Sequence, residues 1–413
     1  MDLKKLRDNS DAQADYMMEE ITTIIKTCGK RLPGSDGEKA AVDYMANTLR
    51  QYTDDVKIEP FEMHPKAFFN WIHIMVTIIL MAMVSYFFIP LLAIILVGVA
   101  MLLMLLQFVL YLEIVDWIYP KRTSHNLMAV KHPKGEVKRR ILFNGHPDVA
   151  HEWTMSYLIS GDAFVAHFVI SMIGIVALTG ISVVSMVLQG GVTVAVADTT
   201  VANGVPMIMG LVCLVFVPFW IAMYRMWNTS VIVDGANDNL TGCYMGIALM
   251  KALHDEGIEF ENTEVGVLLT GSEEAGIRGA RAWAKRHGAS GDYKDVETII
   301  YAYDTLREGK FLAVNRKDLN NTVKADKHAS ELFYNAAKSI DVTCSYGSVP
   351  LGATDSAAFN KGGYQAVGIT ALDHKLRNYY HTRYDTYDNM DKQCLSDCYK
   401  VTVKTLEDFD NGK

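Results

Sequence analysis

No excess of basic charge marks this 413-residue chain. Its formal net charge is −8, which gives no footing for a nucleic-acid partner. Its six cysteines (Cys28, Cys213, Cys243, Cys344, Cys394 and Cys398) form no Cys-x-x-Cys pair. Cys394 and Cys398 stand at helical i,i+4 spacing, and free thiols in a reducing compartment are the expectation. Met1-Asp2-Leu3-Lys4-Lys5 is followed by no apolar run before residue 67, so a signal peptide is not expected. No internal repeat or low-complexity segment stands out.

The most informative lack is of charge itself. No Asp, Glu, Lys or Arg occurs from Ala67 to Leu112, from Ala163 to Ala197, or from Thr199 to Tyr224. A bilayer-spanning helix needs about 20 apolar residues. The first stretch has room for two helices, with a break near Phe88-Ile89-Pro90, because proline cannot continue a helix interior. The other two hold one helix each, joined by a Gly-rich loop near Gly190-Gly191 and Gly204. Four transmembrane helices in two hairpins are therefore expected, at 67–119 and 161–226. The remaining segments, 1–66, 120–160 and 227–413, form one interrupted aqueous domain. Lys66, Lys121, Arg122 and Arg225 flank the spans on the domain side, whereas the opposite loops, Ser85–Pro90 and 190–204, carry no Lys or Arg. The positive-inside rule then places the domain in the cytoplasm. Trp71, Trp117, Tyr119, Trp153 and Trp227 near those ends fit an anchoring aromatic belt.

In the aqueous segments, periodicity predicts helices at 12–28, 36–52, 241–256, 277–287, 327–339 and 393–410. Strands are expected at Val56–Met63, Asn126–Val130, Arg140–Asn144, Thr263–Thr270, Thr298–Tyr303 and Ala366–Thr370. Ser35-Asp36-Gly37-Glu38 reads as a capping box, with Glu38 reaching back over the helix start. Strands alternating with helices imply an α/β domain around a largely buried sheet.

In open α/β sheets, ligands gather beyond the carboxyl ends of the strands. His146 follows one apolar run, Glu273 and Glu274 follow another, and Asp304 ends a third. Asp238, in Gly-Ala-Asn-Asp-Asn, and His381, in Tyr-Tyr-His-Thr, complete a set of five metal-type side chains. Carboxylate and imidazole without thiolate suit catalytic zinc, or cobalt or manganese in its place. Asp148 could accept from the second imidazole nitrogen of His146. Of the adjacent pair Glu273 and Glu274, one can bind metal while the other accepts a proton. Taken singly, each signal has a plainer meaning. Asp238 or Asn239, for instance, could simply cap the following helix.

Taken together, and in this order, the motifs resemble the aminopeptidase Y family of two-zinc metallopeptidases. The resemblance covers about residues 15–66, 123–152 and 230–410. It rests on Arg31-Leu32-Pro33-Gly34-Ser35-Asp36-Gly37, Gly145-His146-Pro147-Asp148, Gly235 to Gly242, Gly271-Ser272-Glu273-Glu274-Ala275-Gly276, Ala353-Thr354-Asp355-Ser356, and Tyr380-His381-Thr382 with Asp385. It implies a zinc exopeptidase-like mixed central sheet flanked by helices. It implies two zinc ions, one on His146 and Asp304, the other on Glu274 and His381, bridged by Asp238. Glu273 would be general base and then acid, and Tyr380 would polarise the tetrahedral intermediate. The chain departs from the family pattern where a transmembrane hairpin separates His146 from Asp238 and another joins the first two strands. A site near the membrane surface, taking apolar peptides or acylated amino acids, is the expectation from these insertions.

The function expected is a membrane-anchored zinc exopeptidase, an aminopeptidase. The runner-up is an amidohydrolase of N-acyl amino acids. Glutaminyl cyclase chemistry fits less well, because that branch works with one zinc and this chain keeps the full ligand set. A receptor or scaffold with a retired peptidase domain would be expected to have lost a ligand or the base, and none is missing.

Overall fold

The computed structural model describes residues 2–192, 195, 196, 204–373, 375 and 379–413. Most of the expected loop 193–203 lies outside the described residues. The chain divides into two compact units. One comprises Met1–Pro65, Pro120–Glu152 and Ser230–Lys413; the other comprises Lys66–Tyr119 and Trp153–Thr229.

The first unit contains α1 (Ser10–Thr27), α2 (Asp36–Leu49), β1 (Asp55–Met63), β2 (Arg122–Lys131), β3 (Arg139–Gly145), α3 (Thr241–Asp255), β4 (Thr263–Leu269) and α4 (Arg278–Ser290). It continues with β5 (Glu297–Leu306), β6 (Leu312–Asn315), α5 (Lys327–Ser339), β7 (Ser345–Gly347), α6 (Asp355–Lys361), β8 (Gln365–Ala371) and α7 (Lys392–Asp410). The strands form one mixed eight-stranded sheet in the order β1-β2-β4-β3-β5-β8-β6-β7. Its four middle strands, β4, β3, β5 and β8, run parallel, so their carboxyl ends share one edge. β1, β2 and β6 are antiparallel to their inner neighbours.

The parallel strands read as unbroken apolar runs because both faces are covered. Every residue of β4 is buried. Alternate residues divide between the faces. Ile141, Phe143, Val265, Val267, Leu269, Ile299, Tyr301 and Tyr303 join one core with α1, α2, α3, α5 and α7. Each such side chain contributes about 1.5–3 kcal/mol by leaving water. α4 and α6 pack on one another and on the sheet, with Trp283 meeting Phe359 edge-on at 5.6 Å.

Ser35 caps α2 as expected, accepting from the Glu38 backbone N–H at 3.2 Å. The other half of the capping box does not form. The Glu38 carboxylate accepts instead from Gly34 N (2.8 Å), Ser124 Oγ and Ser272 Oγ (2.9 Å each). Two serines brought in by the tertiary fold outbid the local partner.

The second unit holds four helices long and apolar enough to cross a membrane: Pro65–Tyr86, Pro90–Val109, Gly161–Gln189 and Val205–Arg225. Pro90 opens the second of them, where the break is expected. Polar groups on these helices pair with one another. Tyr86 Oη meets Ser185 Oγ at 2.7 Å and donates to the Pro206 carbonyl at 2.6 Å. Trp220 Nε1 donates to the Ser171 carbonyl at 3.0 Å, and His167 Nε2 meets the Phe219 carbonyl at 2.8 Å. Valines and leucines are left outermost; Val176 is 72% exposed.

Candidate metal centre

His146 directly follows β3, Glu273 and Glu274 follow β4, Asp304 lies near the end of β5, and His381 follows β8. All reach the shared carboxyl edge of the parallel strands. Asp238 enters from the turn before α3, and its peptide bond to Asn239 is cis.

The structure gathers the five metal-type side chains into two groups that share one member. His146, Asp238 and Asp304 form one group; Asp238, Glu274 and His381 form the other. Asp238 Oδ1 lies 3.4 Å from His146 Nε2, and its Oδ2 lies 3.0 Å from His381 Nε2. His381 Nε2 is 3.6 Å from Glu274 Oε1. Two donors on one tetrahedral zinc stand about 3.3 Å apart, given bond lengths near 2.05 Å. The separations match that edge length. His146 Nε2 is buried and has no hydrogen-bond partner. Imidazole nitrogens gathered with carboxylate oxygens at these separations fit a divalent metal.

The electrostatics agree. Burial pushes the Glu273 and Glu274 carboxyls well above the usual range. Burial, with Asp238 beside it, pushes Asp304 up to about 7. Burial would lower the His146 imidazole, but Asp148 and Asp238 hold it well above its ordinary value. Burial also opposes ionisation of Asp238, yet His146 and His381 hold that carboxyl well below the usual range. A divalent cation among these groups would favour their metal-binding forms, ionised carboxylate and neutral imidazole.

Three further side chains set the loops. Asp148 is fully buried, and its two oxygens accept from Glu273 N and Glu274 N at 3.0 Å each. It lies 3.5 Å from His146 Nδ1, beyond good hydrogen-bonding distance, so its main work is on the glutamate turn. Asp385 accepts from Asn237 N (2.8 Å), Asn237 Nδ2 (2.7 Å) and Asp238 N (3.1 Å), tying the Asp238 turn to the His381 loop. Arg31 donates to the carbonyls of Pro147 (2.7 Å), Asp234 (2.6 Å) and Gly235 (3.2 Å), linking the turn after His146 to the turn before Asp238.

The helix-capping duty falls to Asn239. Its Oδ1 accepts from Gly242 N at 3.1 Å, and its Nδ2 donates to the Tyr303 carbonyl at 2.7 Å. That leaves Asp238 for the centre. Glu273 Oε2 stands 3.8 Å from His146 Nε2. The Tyr380 ring lies against that of His381, centroids 4.2 Å apart and tilted by 49°; burial, with Asp238, Asp304, Glu274 and Glu273 nearby, pushes its phenol well up.

Glu38 was not legible as part of this neighbourhood. It lies 1% exposed and bonds to Ser272, the residue before Glu273. Burial and the Asp148 carboxylate push it up to about 8. Its only sequence signal, the capping box, pointed elsewhere.

Comparison with known proteins places this geometry. Residues 224–406 match the model of peptidase family M28. No curated protein matches the sequence. Among solved structures, the chain is similar to a zinc aminopeptidase from Bacillus subtilis, with a TM-score of 0.57 at 12% identity, covering 96% of this chain and 95% of that one. It is similar to the LapA aminopeptidase of Legionella pneumophila, with a TM-score of 0.54 at 10% identity, covering 99% and 75%. It is also similar to a glutaminyl cyclase from Bacteroides thetaiotaomicron, with a TM-score of 0.54 at 12% identity, covering 95% and 96%. At such identities the likeness shows the fold. Together with the family match over residues 224–406, it supports a zinc metallopeptidase hydrolase.

Proposed function

We propose that this zinc metallopeptidase-type hydrolase is a membrane-anchored aminopeptidase with a two-metal centre. The observation that carries the reading is the division of Asp238, one oxygen toward His146 and the other toward His381, with Glu273 alongside. His146 and Asp304 would hold one ion, Glu274 and His381 the other, and Asp238 would bridge them. Bound zinc supplies Lewis acidity at the scissile carbonyl and acidifies water, with cobalt or manganese able to do the same.

Glu273 takes the proton of the attacking water on its carboxylate and passes it to the leaving amine. Asp148 keeps the Glu273 and Glu274 backbones fixed, so one side chain serves as base while its neighbour serves as ligand. Tyr380, kept protonated by its surroundings, donates from its phenol to the developing oxyanion. Peptides are the substrates, and apolar ones are favoured because the catalytic segments are interrupted by two apolar hairpins.

The four apolar helices anchor the chain in a bilayer. With four spans the aqueous segments would lie on one side, and Lys66, Lys121, Arg122 and Arg225 favour the cytoplasm for that side.

The test uses the full chain in detergent or nanodiscs, with peptides bearing free or blocked N-termini and with acyl amino acids, with and without chelator. Free-amine peptides should be cut from the N-terminus in a chelator-sensitive way. Metal analysis should find about two ions per chain. Glu273→Gln should keep the metals and lose about 10²–10⁴-fold in kcat, the worth of a positioned general base. A fully active Glu273→Gln would refute the mechanism, and turnover of acyl amino acids alone would replace the aminopeptidase by an amidohydrolase.

A further inference from the structure

The mechanism needs Glu273 and Glu274 to diverge from a single turn, and that turn is held from an unexpected direction. We infer that Glu38, on the first turn of α2, is a positioning residue for Glu273. The inference rests on the assignment of Glu273 as the base.

Glu38 is separated from Ser272 by 234 residues, yet its Oε1 accepts from Ser272 Oγ at 2.9 Å. Its Oε2 accepts from Ser124 Oγ at 2.9 Å and from Gly34 N at 2.8 Å. The carboxylate is therefore anchored on one side by β2 and by the start of α2, and grips the glutamate turn with the other. Ser272 has a φ of 59°, a conformation uncommon for a residue with a Cβ. Such conformations persist where the surroundings over-determine them. Here the surroundings are Glu38 on the Ser272 hydroxyl and Asn126 Oδ1, which accepts from Gly271 N at 3.2 Å. The turn is also pressed close: a Cβ at Gly271 would lie 2.5 Å from Ser124 Oγ and 2.6 Å from the His125 carbonyl oxygen.

Glu273 begins one residue later. Its carbonyl accepts from Gly276 N and Ile277 N at 2.8 and 2.6 Å, and its own N–H is held by Asp148. Asp148 thus controls where the turn's backbone points after Ser272, and Glu38 controls how the chain enters it. Rotation of Ser272 would swing the Glu273 carboxylate away from its place 3.8 Å from His146 Nε2. Misplacement by about 1 Å can cost on the order of 100-fold in rate.

The experiment compares Glu38→Gln, Ser272→Ala and their double variant, in the full chain, with leucine para-nitroanilide and a free-amine peptide as probes. kcat, KM, bound metal and unfolding midpoint are measured for each. Glu38→Gln keeps the side-chain shape but leaves only one oxygen to serve donors on both sides. Both single variants should lose roughly 10–100-fold in kcat, with KM little changed and the metals retained. The double variant should lose no more than the worse single, because both act through one contact. Ser124→Ala, which removes a donor on the far oxygen, should lower the unfolding midpoint more than it lowers kcat.

Normal kcat in Glu38→Gln and Ser272→Ala, beside a dead Glu273→Gln, would overturn the positioning role while leaving the base assignment standing. So would losses that multiply in the double variant, or a kcat loss matched by lost metal. An active Glu273→Gln would overturn both.

Discussion

Asp148→Asn is the sharpest perturbation of the site, because it changes charge and donor pattern while preserving shape. Asp148 is fully buried, and both of its oxygens accept a backbone N–H, from Glu273 and Glu274, at 3.0 Å. Asparagine can accept one of them. Its amide NH2 then faces the other N–H, donor against donor. A buried N–H left without an acceptor costs about 1–3 kcal/mol, and the surviving bond also loses its charge assistance. Together these put the loss of stability at about 2–4 kcal/mol. Asp148 also holds the backbone of Glu274, a proposed ligand, so metal affinity should fall by about 10–100-fold, as for other groups behind a ligand. Unfolding followed by Trp283, which is 1% exposed in the first unit, would report the stability change. A competitive chelator titration would report the affinity. If Asp148→Asn unfolds and binds metal like the unaltered protein, Asp148 does not hold the glutamate turn.

Three other outcomes follow from single contacts. Gly145→Ala would put a Cβ 2.5 Å from both Cys243 N and the Gly242 carbonyl carbon, and backbone at that distance must move; a loss of about 3 kcal/mol or more is expected in chemical denaturation, as for severe overpacking. Ser35→Ala removes the cap of α2 and a long bond to the Lys30 carbonyl, and should cost about 0.5–2 kcal/mol in the same assay while leaving kcat unchanged. Burial opposes ionisation of Glu407, but Lys404 and Arg7 outweigh it and lower that carboxyl from 4.5 to about 2. A depressed folded-state pKa means the stabilisation is complete above about pH 4.5 and is lost as the pH falls toward 2. The gap in unfolding midpoint between the protein and Glu407→Gln should close over that interval; a gap that persists at pH 2 would contradict it.

Much of the fold was readable because the middle strands are buried on both faces. β3, β4 and β5 each leave an apolar run in the sequence, and their extents differ from expectation by only a few residues. β6 and β7 were not read, since runs of four and three residues carry too little pattern. α6, seven residues behind a Thr354 cap, was too short for a helical period. The amphipathic helices α1, α3, α5 and α7 were legible, because each must turn an apolar stripe toward the core. The four apolar helices were legible for a simpler reason: apolar composition over that length has few other uses.

The candidate site divides along a similar line. His146, Asp238, Glu274, Asp304 and His381 announced themselves because a metal ligand needs a particular atom type, and each sits in a short turn with its own local character. Those choices are chemical and local, so the sequence alone determined which residues to consider and which reaction they suit. It could not say where Glu38 would point. A carboxylate at that spacing has a good local partner in the helix cap, and only the approach of Ser124 and Ser272 from 86 and 234 residues away makes another partner better. The bridging place of Asp238 was implied only by the family resemblance; the residues alone could not give the capping duty to Asn239 and free its neighbour. Hydrogen bonds and ligand geometry act over about 3 Å, and residues far apart in sequence reach that distance only when the parallel strands carry their ends to a common edge.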